Sequence, residues 1–210
     1  MTPRTDAQNE QLRMQRRTEL LEAAQRVFAS KGFHAANVAD VAAEAGVSQG
    51  TVYHYFDSKE TLLMAVFEVW ETGSLRQEID YAVEAAPTAA EKLTLIAHAA
   101  AERLATNVNL LDTQVEFWSH IPRHPAIRNG YKRMFAHMAN DMAQVIQQGV
   151  DSGEFVAVDA EALARLLIAS YDGLVLQWLA DKKSIDWHSS IETLVNVTLH
   201  GLSVKTKGKR

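Results

Sequence analysis

Residues 47–56 read VSQGTVYHYF, set between Gly46 and the charged turn DSKE of residues 57–60. Three of the ten are aromatic and a fourth is His54, yet the segment is too short to build a core. On a helix Val52 and Phe56 share one face, four residues apart. Gln49, Gly50, Thr51, Tyr53, His54 and Tyr55 are then left facing outward, and Ser48 stands where a helix N-cap belongs.

The residues upstream pair with this helix. Asn37 is a good N-cap, and Val38, Val41, Ala42 and Ala45 make an apolar face that Gly46 ends after about two turns. Two short helices joined by AGVS form a helix-turn-helix, and Gly46 supplies the positive φ that the turn needs. In such a unit the second helix lies in the DNA major groove. Gln49 can bond adenine or guanine edges, and Thr51 can offer its methyl to thymine or its hydroxyl to phosphate. Gly50 lets backbones approach closely. Tyrosine hydroxyls and Lys59 suit phosphate oxygens, and the helix start carries partial positive charge.

The pattern stays helical outward from there. Leu20, Leu21, Ala24, Val27 and Phe28 form one face of a first helix that stops at SKGF, where Gly32 can adopt a left-handed cap. Asp57 is expected to cap a fourth helix, with Glu60 as its capping-box partner. That helix carries Leu62, Leu63, Val66, Phe67 and Trp70 and runs over 59–86. Further helices are expected at 88–106, 111–121, 125–152, 159–182 and 187–203, with Pro122 and Pro125 separating two of them. No strand alternation, repeat or low-complexity run is present. The expected fold is all-α, with about nine helices: an N-terminal three-helix helix-turn-helix domain and a C-terminal helical bundle for ligand binding and dimerisation. The expected divisions are 1–58, including an N-terminal arm, then 59–204, then a basic tail at 205–210.

Composition narrows the function. Among 210 residues, 47% are hydrophobic and none is cysteine, which excludes a disulfide scaffold, a thiolate metal site and a cysteine nucleophile and suits a reducing cytoplasm. The polar start has no apolar signal-peptide core, and no stretch reaches the ~18 uninterrupted apolar residues of a membrane span. A cytoplasmic protein without a membrane partner is expected. The net charge of −5 is not the basic balance common in nucleic-acid binders. Its distribution matters more: Arg4, Arg13, Arg16 and Arg17 face only Asp6 and Glu10 at the start, and Lys205, Lys207, Lys209 and Arg210 close the chain.

The block from Thr18 to Val66, TELLEAAQRVFASKGFHAANVADVAAEAGVSQGTVYHYFDSKETLLMAV, resembles the DNA-binding domain of the tetracycline-repressor (TetR) family. The resemblance implies that Gln49, Gly50, Thr51, Tyr53, His54, Tyr55 and Lys59 meet DNA, with Ser48 at the helix start and Asn37 on phosphate. One departure is Ala39, where family members often carry a polar or basic reader of bases. Gln49 and His54, or the N-terminal arginines in the minor groove, are expected to take up that role. VEFW, HPAIRNGY and YDGLVLQWLAD look like stretches of the branch that includes betaine-type repressors.

The remaining two-thirds supply the other candidates. Trp70, Phe117, Trp118, Tyr131, Met134, Met138, Tyr171 and Trp178 could line an apolar pocket, with Glu116, His120 and Gln177 as polar anchors. The helix at 159–182 is apolar on more than one face and so is expected to be buried on two sides. With the helix at 187–203 it suggests a two-fold homodimer through a four-helix bundle, using Leu166, Gly173, Leu174, Trp178, Ile191, Leu194, Val195 and Leu199. Paired recognition helices about 34–36 Å apart would read a palindromic operator. Glu116, His120 and His124 recur every four residues, but Pro122 interrupts the helix, so no metal is expected. His98 and Glu102 are read as an exposed pair. No nucleophile–base pair or phosphate loop is present, so neither an enzyme nor a cofactor is expected. The reading is a homodimeric transcriptional repressor of duplex DNA, responsive to a small-molecule effector; the alternative is a helical small-molecule-binding module or enzyme without DNA binding.

Overall fold

The structure, a computed structural model, describes residues 6–72, 74–106 and 108–204; within these the side chains of 6, 7, 70–72, 74–78, 103, 106, 108–110, 112, 113 and 116 lie outside the description. The described residues form ten α-helices: α1 Asp6–Ala35, α2 Val38–Glu44, α3 Gln49–Tyr55, α4 Lys59–Thr72, α5 Ser74–Ala85, α6 Ala89–Thr106, α7 Val108–His120, α8 Pro125–Asp151, α9 Ala160–Ala180 and α10 Trp187–Leu202. Among the described residues the only extended pairing is an isolated bridge from Phe155 to Ser203. The single helix expected over 59–86 is therefore described as α4 and α5 on either side of residue 73, which lies outside the described residues. Arg4 and the basic tail at 205–210 lie outside them too.

The chain divides into two compact units. Unit one comprises Met1–Glu71 and Asp112–Tyr131; unit two comprises Thr72–Leu111 and Lys132–Arg210. The limit expected at 58/59 falls inside unit one, because Leu62, Leu63, Met64 and Phe67 of α4 share its core with Leu20, Phe28, Val41 and Val52. Phe117 of α7 and Ile127 of α8 are buried in the same core. Phe117 packs at 4.3 Å on Phe67 and 5.9 Å from Tyr131. Gly130 lets α8 pass over Met64: a Cβ there would lie 2.3 Å from the Met64 methyl.

Local signals in unit one mostly behave as read. Gly32 leaves the helical region at φ 74° and ψ 155°, and one further turn follows it to Ala35. Asn37 accepts the Asp40 backbone N–H at 2.9 Å, while the Asp40 carboxylate accepts the Asn37 N–H at 3.0 Å, closing a capping box. The α2–α3 corner ends in a Schellman arrangement: Val47 N–H donates to Ala42 O at 2.9 Å and Gly46 N–H to Ala43 O at 3.1 Å, with Gly46 at φ 65°. The cap of α4 is shifted by one residue from expectation. Ser58, not Asp57, accepts the Thr61 N–H at 3.1 Å, and Thr61 Oγ1 accepts the Ser58 N–H at 2.9 Å. Serine and threonine thus close the box, and Glu60 has no part in it.

Unit two is a helical bundle. Ile146, Ala164, Phe155, Leu93 and Leu202 are buried in one cluster, and Ala101, Ile191 and Val195 in a second. The start of α6 is closed from far along the chain: both Glu154 carboxylate oxygens accept, at 2.8 Å, the N–H groups of Ala89 and Ala90. Gly149 gives Phe155 its seat, since a Cβ there would meet the ring at 2.2 Å.

Candidate nucleic-acid interface

The interface is built on α3. Val52 is 1% exposed and Phe56 5% exposed, so one side of the helix and its C-cap are sealed into unit one. Ser48 Oγ accepts the Thr51 N–H at 3.1 Å and lies 2.9 Å from Thr51 Oγ1, which fixes the first turn and the Thr51 rotamer. Ser48, Gln49, Gly50, Tyr53 and His54 are exposed and Thr51 is half-buried. A Cβ on Gly50 would meet nothing nearer than Ser48 Oγ at 3.7 Å, so packing within the chain does not require glycine there. Tyr55 is only half-buried and rests on the core, with its ring edge-on to His54 at 5.3 Å. Asn37 is exposed beside its capping box, and Ala39 is half-buried.

Lys59 is placed otherwise than the sequence suggests. Its Nζ donates to Phe33 O at 2.7 Å and Ala36 O at 2.9 Å, and it sits 4.3 Å above the Phe33 ring. The ammonium satisfies carbonyls left over at the broken end of α1, and the side chain is half-buried. Those carbonyls lie 26 and 23 residues upstream, which no local pattern reveals. The other cations of the recognition segment are also engaged. Arg26 pairs with Glu44 at 2.7 Å and Lys31 with Asp40 at 2.7 Å. The hydrogen bond from Lys31, joined by the Asn37 backbone N–H, holds the Asp40 carboxyl below the usual carboxylate range.

The expected N-terminal arm is helical over its described part, since α1 begins at Asp6. Arg13 lies 3.9 Å from Glu10 and Arg16 2.8 Å from Glu19, both exposed. The Arg17 guanidinium stands 5.5 Å from the Phe56 ring centre, beside the end of α3.

The pocket candidates separate. Phe117, Trp118, His120 and Tyr131 belong to unit one; Met134, Met138, Tyr171, Gln177 and Trp178 belong to unit two. Trp70 and Glu116 have side chains outside the described residues. Phe117 and His120 are buried, and Tyr131, Met134, Met138 and Tyr171 are half-buried. Gln177 is exposed. His120 packs edge-on to Phe33 at 4.8 Å, parallel to His34 at 5.6 Å and edge-on to His124 at 5.1 Å. His34 was not singled out in the sequence, because only the fold brings it to His120. Among the described residues no group of three or more His, Cys, Asp or Glu could hold a metal. Glu102 meets His188 at 3.5 Å.

The dimer candidates also separate. Trp178, Ile191 and Val195 are buried within unit two, with Trp178 against Trp187 at 5.7 Å, and so present little surface to a partner. Leu166 is 64% exposed, and Gly173, Leu174, Leu194 and Leu199 are half-buried. Leu176 and Val197, which are not among the dimer candidates, are exposed, as are Ala162 and Ala169, small residues of the same helix as Leu166. The spacing Ala162, Leu166, Ala169, Gly173, Leu176 traces one helical face and was available in the sequence.

Comparison with known proteins agrees with this architecture. Residues 20–66 match the bacterial regulatory proteins of the tetR family, and residues 70–202 match the BetI-type transcriptional repressor C-terminal family. The repressor KstR2 of Mycolicibacterium smegmatis is 31% identical over 67% of this chain and 67% of its own. The fatty acid metabolism regulator of Bacillus subtilis is 25% identical over 89% of this chain and 95% of its own. The crystal structure of B. subtilis FadR with stearoyl-CoA shares the fold, with a TM-score of 0.76 at 24% identity over 88% of this chain and 98% of that one. With an exposed polar recognition helix in its N-terminal part and a BetI-type C-terminal bundle, the chain is a transcriptional regulator of the TetR family and not an enzyme.

Proposed function

We propose that the protein is a cytoplasmic repressor that binds a palindromic operator as a homodimer and answers to a small molecule held in its C-terminal bundle. The observation that carries the DNA reading is the division of α3: Val52 is sealed inside while Gln49, Gly50, Tyr53 and His54 stand free. Gln49 and His54 offer hydrogen bonds to base edges, Thr51 a methyl group, and Tyr53 a hydroxyl for phosphate. Asn37 is an exposed partner for a further phosphate. Gly50, which the fold does not need as glycine, leaves room for a sugar–phosphate strand.

The stripe Ala162, Leu166, Ala169, Gly173 and Leu176 supports the dimer. α9 is the one described helix long and apolar enough to cross a membrane, with 22% of its apolar window buried inside the chain. A second copy packing its α9 and α10 across a two-fold axis covers this surface. Effector binding in the bundle shifts the spacing of the two recognition helices, and a coupling of ~1–3 kcal/mol changes operator affinity from severalfold to a hundredfold. The stearoyl-CoA bound to the FadR neighbour makes long-chain acyl thioesters the first effector class to test.

Fluorescence anisotropy with duplex DNA from upstream of the protein's own gene tests this reading. Wild type is expected to bind, and Gln49→Ala to lose about 1–3 kcal/mol of preference for that site with an unchanged circular dichroism spectrum. Equal affinity of both proteins for operator and scrambled duplex would sink the proposal and leave a binding module without a DNA role. Gln49 is a cleaner probe than Tyr55, whose ring also packs on the core.

A further inference from the structure

We infer that the α7–α8 corner, through Arg123 and Arg128, grips DNA phosphates flanking the site read by α3, so that the DNA-binding surface continues into the part of the chain whose sequence is of regulatory type. This rests on the DNA reading proposed above and extends it to residues that lie within the C-terminal family match at 70–202.

The helix-turn-helix is short of free positive charge. Protein–DNA affinity comes largely from cations that displace counterions at phosphates. From Thr18 to Glu71 the chain contains three, Arg26, Lys31 and Lys59. Arg26 and Lys31 are in ion pairs and Lys59 is bonded to two carbonyls. This segment thus has no uncommitted cation of its own, and cations for phosphate must come from outside it, from the arginines of α1, such as Arg17 beside Phe56, and from elsewhere in the same body.

The α7–α8 corner supplies them. Residues 117–140 contain Arg123, Arg128, Lys132 and Arg133 and no carboxylate, in a chain of net charge −5. Arg123 and Arg128 belong to unit one. Both are exposed, and among the described residues neither guanidinium has an ion pair.

The corner is fastened to the end of α1 in the same unit. His120 is 4% exposed and lies against Phe33 and His34. Arg123 N–H and His124 N–H both donate to His120 O, at 3.0 and 2.9 Å, and Arg128 N–H donates to His124 O at 2.9 Å. His34 is three residues from Asn37, at most about 10 Å of chain, and Lys59 holds the carbonyls of Phe33 and Ala36 at the two ends of this stretch. The corner that carries the two arginines is thus joined, through His120 and His34, to the segment that leads into Asn37, a candidate phosphate contact. A backbone carrying successive phosphates is the partner that such unpaired guanidinium groups fit.

The test is the salt dependence of operator binding by wild type and the double variant Arg123→Gln/Arg128→Gln. Removing one cation from a phosphate makes the slope of log affinity against log salt shallower by about 0.9. The double variant is expected to bind more weakly at 50 mM salt, with a slope shallower by about 1–2, so that its deficit shrinks by about 4- to 16-fold at 200 mM. Arg123→Lys/Arg128→Lys is expected to keep the wild-type slope. Lys182→Gln/Lys183→Gln, which removes the same charge from unit two, is expected to leave the slope unchanged. An unchanged slope in the Arg→Gln variant overturns the inference, as does an equal loss in the Lys→Gln control. Intact DNA binding with a lost effector response assigns the corner to an anionic effector and overturns it too. A wild type that binds no duplex defeats the proposed function along with it, whereas bound DNA with an unaltered slope defeats this inference alone.

Discussion

α3 and α9 handle their outer surfaces in opposite ways. α3 buries Val52 and leaves Gln49, Tyr53 and His54 outside; α9 buries Ile168, Val175 and Trp178 and still leaves Leu166 and Leu176 outside, 64% and 51% exposed. A helix whose unburied face is polar stays stable in water and can wait for a charged, hydrated partner. A helix whose unburied face is apolar is incomplete until another surface removes it from water, at roughly 25 cal/mol per Å². In the function proposed above, the first face serves reversible recognition and the second lasting assembly.

Charge placed on the α9 stripe is expected to have the largest effect. Leu166→Glu/Leu176→Glu sets carboxylates against their own copies across the proposed two-fold axis. Such like-charge contact costs several kcal/mol, so the dimer is expected to weaken at least a hundredfold. Sedimentation velocity would then show a halved mass at micromolar protein, with helicity retained. An unaltered mass would mean that the apolar stripe is not the assembly face.

Removal of Lys59 sharpens the other side of the comparison. Lys59→Met deprives two carbonyls of a charged donor and is expected to cost about 1.5–3 kcal/mol of stability, read by denaturant titration. The salt slope of operator binding is expected to stay at the wild-type value, because the ammonium is engaged by the Phe33 and Ala36 carbonyls. A slope lower by about 0.9 with full stability would restore the role that the sequence alone suggested.

The smallest effect belongs to Asp40. Its carboxyl is depressed in the folded protein, first by the hydrogen bond from Lys31. A depressed carboxyl adds stability that is fully present above the unfolded value, near 3.8, and is lost as pH falls through the lower folded value. Asp40→Asn is therefore expected to flatten slightly the loss of stability below pH 3.8, measured by denaturation at stepped pH.

How much of this could be read from the sequence depended on distance along the chain. The faces of α1, α2 and α3 and the caps at Asn37 and Ser48 depend on neighbours within four residues, and the structure places them as read. The α4 cap slipped by one because Asp57 and Ser58 both cap well and Thr61, unlike Glu60, has a hydroxyl in reach of the Ser58 N–H. Residues 6–17, DAQNEQLRMQRR, are rich in Gln, Glu, Leu, Met and Arg, all good helix formers; their helix was legible, although an arm was expected. The anchoring of Lys59, the stacking of His34 on His120 and the burial of Trp178 and Ile191 depend on residues far apart in sequence. A period of 3.6 says that a face is apolar without saying what covers it.

Phe117 and Ile127, 1% and 0% exposed in unit one, bear on how far the DNA-reading half can be separated from the rest. A graft that joined residues 1–71 to another regulator's bundle would leave empty the places that these two side chains fill. Loss of a large buried side chain costs about 3–5 kcal/mol, a large share of what holds a small domain together. The reader is thus not an interchangeable cassette; it travels intact only with the α7–α8 corner that completes it.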